Sequence, residues 1–213
     1  VTISPYQKIS NKSMPTTAKA SGQYMNSLLS VTEARERGFD EAILMNVDGN
    51  IAEGSGQNLF YVKDDIVHTN DESSSILLGI TRDSVLRICR NLNIQSQIHD
   101  FSLEDLHNAD EVFFTGTASE ITPIRTIDDN LISDGSVGRT TLKLRDYYRG
   151  YRYPLVSASI SAFGVSILLI TGITSSPSAT AVLQFATVCA STPCEASTTN
   201  NAPSQALSDL DTS

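Results

Sequence analysis

Residues 41–62, EAILMNVDGNIAEGSGQNLFYV, place an Asp48-Gly49 pair between two apolar runs rich in strand formers. An Asp-Gly step readily takes the positive φ angles of a tight reversal, so this pattern predicts a two-residue hairpin at 48–49. The returning strand is expected over 51–62, and it carries a carboxylate, Glu53, near its start. Three small residues follow at once: Gly54, Ser55 and Gly56. A charge in a buried hairpin needs a partner, because an isolated ion out of water is costly. Strand packing alone asks for neither the glutamate nor the small residues.

Around this hairpin, helical and strand patterns alternate. QYMNSLLSVTEARERG (23–38) reads as a helix stopped by Gly38. DIVHT (65–69) reads as a strand, TRDSVLRICRNLN (81–93) as a helix, and IQSQIHDF (94–101) as a strand. SLEDLHNA (102–109) has the signature of a short helix opened by Ser102 with Asp105 at its third position, and EVFFTG (111–116) reads as another strand. Hairpins mixed with helices imply an α/β or α+β fold, a mixed sheet with flanking helices, rather than a β-sandwich. Three zones are expected: a polar lead over 1–22 broken by Pro5 and Pro15, a folded domain over 23–150, and a tail over 151–213.

The tail differs in composition. Arg152 is the last basic residue, and the 61 positions after it hold only Glu195, Asp209 and Asp211 as charges. Residues 155–173 form an uncharged run of membrane-span length, but they include five Ser or Thr and two Gly and lack a basic C-terminal flank. The reading is a low-complexity, disordered or marginally helical segment. An out-of-frame or intron-derived translation would give such a composition. The net charge of -9 argues against a nucleic-acid partner, whose phosphates call for clustered Lys and Arg. Cys89 lies in a helical run and reads as a buried apolar residue, while Cys189 and Cys194 lack metal-site spacing. His68, His99 and His107 fall in separate segments, also without ligand spacing, and read as structural or surface residues. No secretory signal opens the chain, and a reducing, cytoplasmic compartment fits, with an organelle as the alternative had a transit peptide preceded it.

Three other features bear on Glu53. Lys19 stands among Ala18, Ala20, Ser21 and Gly22, so a bulky group could approach its amine; the plain alternative is an exposed lysine. Gly79, Ile80 and Thr81 precede a helix, whose first amides and the Thr81 hydroxyl would cradle an anion; the plain alternative is an ordinary cap. A strand runs into Thr115, Gly116, Thr117 and Ala118, a second cluster of hydroxyls and amides, or simply a polar turn. A lysine amine, a lone carboxylate and two anion cradles are what pyridoxal phosphate needs. The set is coherent without being unique.

The segments AKASGQYMNSLL, EGSGQNLFYVK, LLGITRD and ADEVFFTGTASEITPI closely resemble the C-terminal, cofactor-binding part of branched-chain amino acid aminotransferases, members of the class IV group, in the family's order across about residues 5–148. The resemblance implies a fold-type IV large domain and pyridoxal 5'-phosphate. It assigns Lys19 to the cofactor aldehyde and the Cα proton, Tyr24 to the phenolic oxygen and Glu53 to the pyridine nitrogen. Leu77 would pack on the ring face, Ile80, Thr81 and Thr117 would hold the phosphate, and the Thr117 and Ala118 amides would dock the substrate carboxylate. Gly54 to Gly56 would be small because the ring lies against them. The implied reaction is ping-pong amino transfer from leucine, isoleucine or valine to 2-oxoglutarate, in a homodimer by analogy. D-amino acid aminotransferase and aminodeoxychorismate lyase share the fold and the lysine and stand as alternatives, as does a non-catalytic remnant. Departures are Gln57 where the family has Glu, Thr69-Asn70 where it favours proline after the threonine, and Arg139 in place of a usual proline. The family's N-terminal small domain, which shapes the side-chain pocket, is missing from these residues.

Overall fold

The computed structural model describes residues 1–152. β1 (Thr2–Ile3) leads through an irregular segment and a 3-10 turn (Ser21–Gln23) into α1 (Tyr24–Glu36). β2 (Ala42–Met45), β3 (Ile51–Gly54), β4 (Asn58–Lys63) and β5 (Ile66–Thr69) follow. Next come α2 (Ile80–Asn91), β6 (Ser96–Ile98), α3 (Leu103–His107), β7 (Glu111–Gly116) and β8 (Glu120–Ile124). A small pair, β9 (Thr126–Ile127) and β10 (Asn130–Leu131), precedes α4 (Arg139–Arg152). The expectations for the tail beyond residue 152, the 155–173 run included, lie outside the described residues. Among the described residues no helix is long and apolar enough to cross a membrane.

The expected mixed sheet with flanking helices is present, as two main sheets. A five-stranded sheet has the order β6-β5-β4-β7-β8 and is antiparallel except for the β5–β6 edge pair. A three-stranded sheet has the order β1-β2-β3, with β1 parallel to β2. Successive strand residues face opposite sides, so Leu59 and Tyr61 enter one core with Phe101 and Leu106, while Phe60 and Val62 enter another with Val85, Cys89 and Leu144. The five-stranded sheet is therefore covered on both faces. That is why LFYV and VFF read as continuous apolar runs instead of alternating ones.

The Asp48-Gly49 reversal is longer than the two-residue turn expected. Met45 pairs with Ile51, leaving residues 46–50 as the loop. The Asn46 side-chain oxygen accepts from the amides of Asp48 at 3.0 Å and Asn50 at 2.9 Å, and this local side-chain bonding replaces the tighter turn. The run 51–62 is also two strands, not one. The Gly54 amide donates to Gln57 O at 2.7 Å, and the chain passes from the small sheet into the large one. Gly54 is small for a packing reason: a Cβ there would sit 2.8 Å from Phe114 Cε1. The strand expected over 94–101 shrinks to Ser96–Ile98, because its partner β5 offers only four residues. Gly38 ends α1 as expected: at φ 89° it lets its own amide reach Arg35 O and that of Phe39 reach Ala34 O. The Ser102/Asp105 capping box is likewise present.

Candidate active site

Glu53, the third of the four residues of β3, is buried, 5% exposed as a residue. Three donors converge on the carboxylate. Lys8 Nζ lies 2.6 Å from Oε1, while Oε2 accepts from Asn58 Nδ2 at 3.1 Å and from the Leu77 amide at 3.1 Å. Burial pushes the Glu53 carboxyl above its ordinary range; the Lys8 charge and the hydrogen bonds from Lys8 and Leu77 pull against that rise. The ionised form is the one this geometry fits, since every described partner donates and none could accept a carboxylic proton.

Lys8 was not foreseen as a site residue. It belongs to the polar lead, whose first residues run along the β2 edge: Ser4 N donates to Ile43 O, and Lys8 N to Met45 O, each at 2.8 Å. Its need was legible in one respect. A buried carboxylate requires a cation, and the lead before the hairpin holds just three lysines, Lys8, Lys12 and Lys19.

Asn58 joins the carboxylate to the start of α2. Its Nδ2 also donates to Leu77 O at 2.6 Å. Its Oδ1 lies so near Gly79 that a Cβ at 79 would stand 2.3 Å away. Gly79 is the N-cap of α2 and supplies no side-chain cap, so the first amides of this 12-residue helix keep their partial positive charge for an external anion. The Thr115–Ala118 turn follows β7, where Thr115 is paired with Asn58 in register. Nearby, Gln57 Oε1, Thr115 Oγ1 and Ser119 Oγ are buried without hydrogen-bond partners among the described residues. The departure at Gln57 thus leaves an unbonded carbonyl, while its Nε2 reaches Glu41 Oε2 at 3.4 Å. At the other departure, Asn70 Nδ2 donates to Ile51 O at 2.8 Å and Ala52 O at 2.6 Å, bonds that proline could not make.

The expected site residues divide into two groups. Glu53 and Leu77 are in direct contact, and Ile80 and Thr81 open the helix three residues beyond Leu77, with Thr81 buried and Ile80 exposed. Lys19, Tyr24, Thr117 and Ala118 are exposed. Lys19 is exposed together with its small neighbours from Ala18 to Gly22, which leaves its amine open to approach. What holds that segment is Gln23, whose Nε2 donates to Pro15 O at 2.6 Å and Ala18 O at 2.9 Å. Thr16 Oγ1 donates to Ile76 O at 3.2 Å, tying it beside Leu77. His68 and His99, which looked separate, are joined by a ring-nitrogen hydrogen bond of 2.9 Å. No cluster among the described residues could hold a metal ion.

The buried Glu53 anion suits a cationic ring nitrogen, and the uncapped start of α2 suits a phosphate. The branched-chain-amino-acid aminotransferase of Salmonella typhimurium is 41% identical over 148 residues, 70% of this chain and 48% of that protein. A probable branched-chain-amino-acid aminotransferase of Aquifex aeolicus is 40% identical over 147 residues. The chain spans about half the length of these curated relatives. Among solved structures, the T.th. branched-chain amino acid aminotransferase complexed with N-(5'-phosphopyridoxyl)-L-glutamate superposes with a TM-score of 0.69 at 42% identity, covering 70% of this chain and 51% of that one. The pattern described as amino-transferase class IV matches residues 1–127, and with relatives of this identity over most of the described chain, the protein belongs to the class IV aminotransferase family.

Proposed function

We propose that this chain carries the cofactor-binding part of a pyridoxal 5'-phosphate-dependent transaminase that moves the amino group of leucine, isoleucine or valine to 2-oxoglutarate. The observation that carries the reading is the buried, triply bonded Glu53 carboxylate, linked through Asn58 and Leu77 to the uncapped start of α2. The branched-chain substrate follows the names of the relatives. A homodimer and a cytoplasmic location belong to the same reading.

When bound, the cofactor supplies an aldehyde for an amine and a ring that takes up the electron pair left at Cα. Glu53 would hold positive charge on the ring nitrogen, and Leu77 would pack on the ring face. The amides of Ile80 and Thr81, with Thr117, would take the phosphate oxygens at the positive end of α2. Tyr24 would hydrogen-bond the phenolic oxygen. The Thr117 and Ala118 amides would bind the substrate carboxylate. Lys19 would provide the amine and move the Cα proton. Lys8 is the deeper lysine, but its Nζ is committed to Glu53 at 2.6 Å and is not free to bond an aldehyde.

Borohydride trapping tests this. The protein is mixed with pyridoxal phosphate, reduced and digested, and the pyridoxyl mass is sought on each lysine peptide. The expected label is on Lys19 alone. Label on Lys8, label spread over many lysines or no label would refute the assignment. Assay with leucine against D-alanine separates the branched-chain reading from the D-amino acid one.

A further inference from the structure

The Lys8–Glu53 pair differs in kind from the other ion pairs of the described residues. Its side chains are 5% and 7% exposed, whereas the other five pairs involve side chains 17% to 85% exposed. Exposed pairs contribute little. A buried pair is no efficient source of stability either, since desolvation of two ions offsets most of their attraction and an apolar pair of similar volume does as well. A reason for Lys8 has therefore to be sought in what Glu53 does.

The chain invests unusual local structure in placing this lysine. Lys8 N is bonded to Met45 O at 2.8 Å. Asn26, on α1, grips the residues on either side: its Nδ2 donates to Gln7 O at 3.0 Å, and its Oδ1 accepts from the Ile9 amide at 3.3 Å. Lys8 Nζ arrives on Oε1, at 2.6 Å. Glu53 Oε2 has both lone-pair directions filled, by Asn58 and Leu77, while Oε1 has Lys8 and one direction left.

We propose that Lys8 is a positioning residue: clamped by Met45 and Asn26, it keeps the Glu53 carboxylate ionised and oriented before any ligand enters, leaving one lone pair of Oε1 for the N–H of a cationic heteroaromatic ring. The identity of that ring rests on the transaminase reading above; the Lys8–Glu53 device does not. Lys8 is the charged side chain whose field reaches Glu53, and Leu77 supplies the backbone donor beside it. The site thus holds its anion ready, with no reorganisation left for the moment of binding.

The test uses cofactor-free protein with 13C-labelled glutamate side chains, the Glu53 carboxyl resonance being identified by its loss in E53Q. K8Q keeps a donor and removes the charge. It is expected to raise the Glu53 titration midpoint by about one to three pH units, the usual effect of an opposite charge at contact range. K8R is expected to return the midpoint to near the wild-type value. A K8Q midpoint equal to wild type overturns the proposal. If K8Q does not fold, the wild-type protein decides: the Lys8 Nζ nitrogen resonance must shift with the Glu53 midpoint, and an Nζ resonance indifferent to it overturns the proposal. Pyridoxal phosphate uptake is read separately. A protein that binds none yet shows the Lys8-dependent midpoint refutes the transaminase reading and supports the Lys8–Glu53 device.

Discussion

Replacing Gly79 by alanine isolates the link between the carboxylate and the start of α2. At φ -68° and ψ 144° the backbone of residue 79 suits any L-amino acid, so no backbone strain enters. The Cβ itself is the perturbation: it would lie 2.3 Å from Asn58 Oδ1. Asn58 must move, and its Nδ2 then loses Glu53 Oε2 and Leu77 O together. One charge-assisted and one neutral hydrogen bond amount to about 2–4 kcal/mol with the desolvation of the abandoned groups. Alanine at an N-cap held by glycine adds about 1 kcal/mol. G79A is therefore expected to cost about 3–5 kcal/mol, and N58A about 2–4 kcal/mol for the same two bonds. In N58A the obstructing oxygen is gone, so the double variant should lose only about 1 kcal/mol more than N58A, leaving a coupling of roughly 2 kcal/mol or more. Urea unfolding of the four proteins measures it. Additive losses would show that Gly79 does not act through Asn58, and the proposed mechanical link between the two halves of the site would fall.

Other perturbations have equally definite outcomes. At the start of α4, Glu111 accepts from Thr140 N at 2.9 Å and from Thr141 N and Oγ1 at 2.7 Å, so E111A should cost about 2–3 kcal/mol in urea unfolding. G138A should be worse, since its Cβ would fall 1.9 Å from Glu111 Cδ. The His99 Nδ1 hydrogen donates to Asp100 O at 2.7 Å, which leaves His99 Nε2 to accept from His68 Nδ1. Burial, then the neighbouring His99, lowers the His68 pKa against the pull of Asp105. A depressed folded value means this contribution to stability is present above the unfolded pKa, about 6.5, and is lost as pH falls below it toward the folded value. H68F, which keeps an aromatic ring against Tyr61, should flatten the fall in stability between about pH 7.5 and pH 5; an unchanged slope refutes the assignment. Cys89, fully buried and with its thiol pushed up to about 11, should stay unalkylated in the peptide map of native protein at pH 8 and react once unfolded.

The parts of the fold that could be read in advance are those whose signals act over a few residues. Gly38 and the Ser102/Asp105 box mark helix ends through local backbone bonding, and both hold. The reversal at Asp48-Gly49 is longer than its Asp-Gly step predicts because Asn46, two residues outside the expected turn, bonds back into the loop. The break at 54–57 was invisible for another reason. The chain leaves the small sheet there for the large one, and Gly54 must stay small against Phe114, sixty positions later. Of the residues the resemblance pointed to, the structure puts Glu53 against Leu77 and places Ile80 and Thr81 at the start of α2. Lys8, Asn26 and Asn58 are ordinary polar residues in the sequence: Lys8 and Asn26 meet partners 45 and 17 positions away, and Asn58 matters because it joins nearby Glu53 to Leu77 O, 19 positions on.

Glu53 and α2 are tied by short bonds through Asn58 and Leu77, and Asn70 binds the same region again: its side chain holds β3 while its carbonyl accepts from Arg82 Nη2 at 2.6 Å. The carboxylate and the helix end should therefore move as one body, with the spacing between a ring nitrogen and a phosphate fixed in advance. The Lys19 segment reaches that body through Thr16 and Ile76, a single 3.2 Å bond between buried groups supplemented by Asn11 contacts. On the transaminase reading proposed above, a lysine that bonds an aldehyde and then carries a proton would gain from this looser attachment, and a carboxylate that only holds charge in place would gain from rigidity.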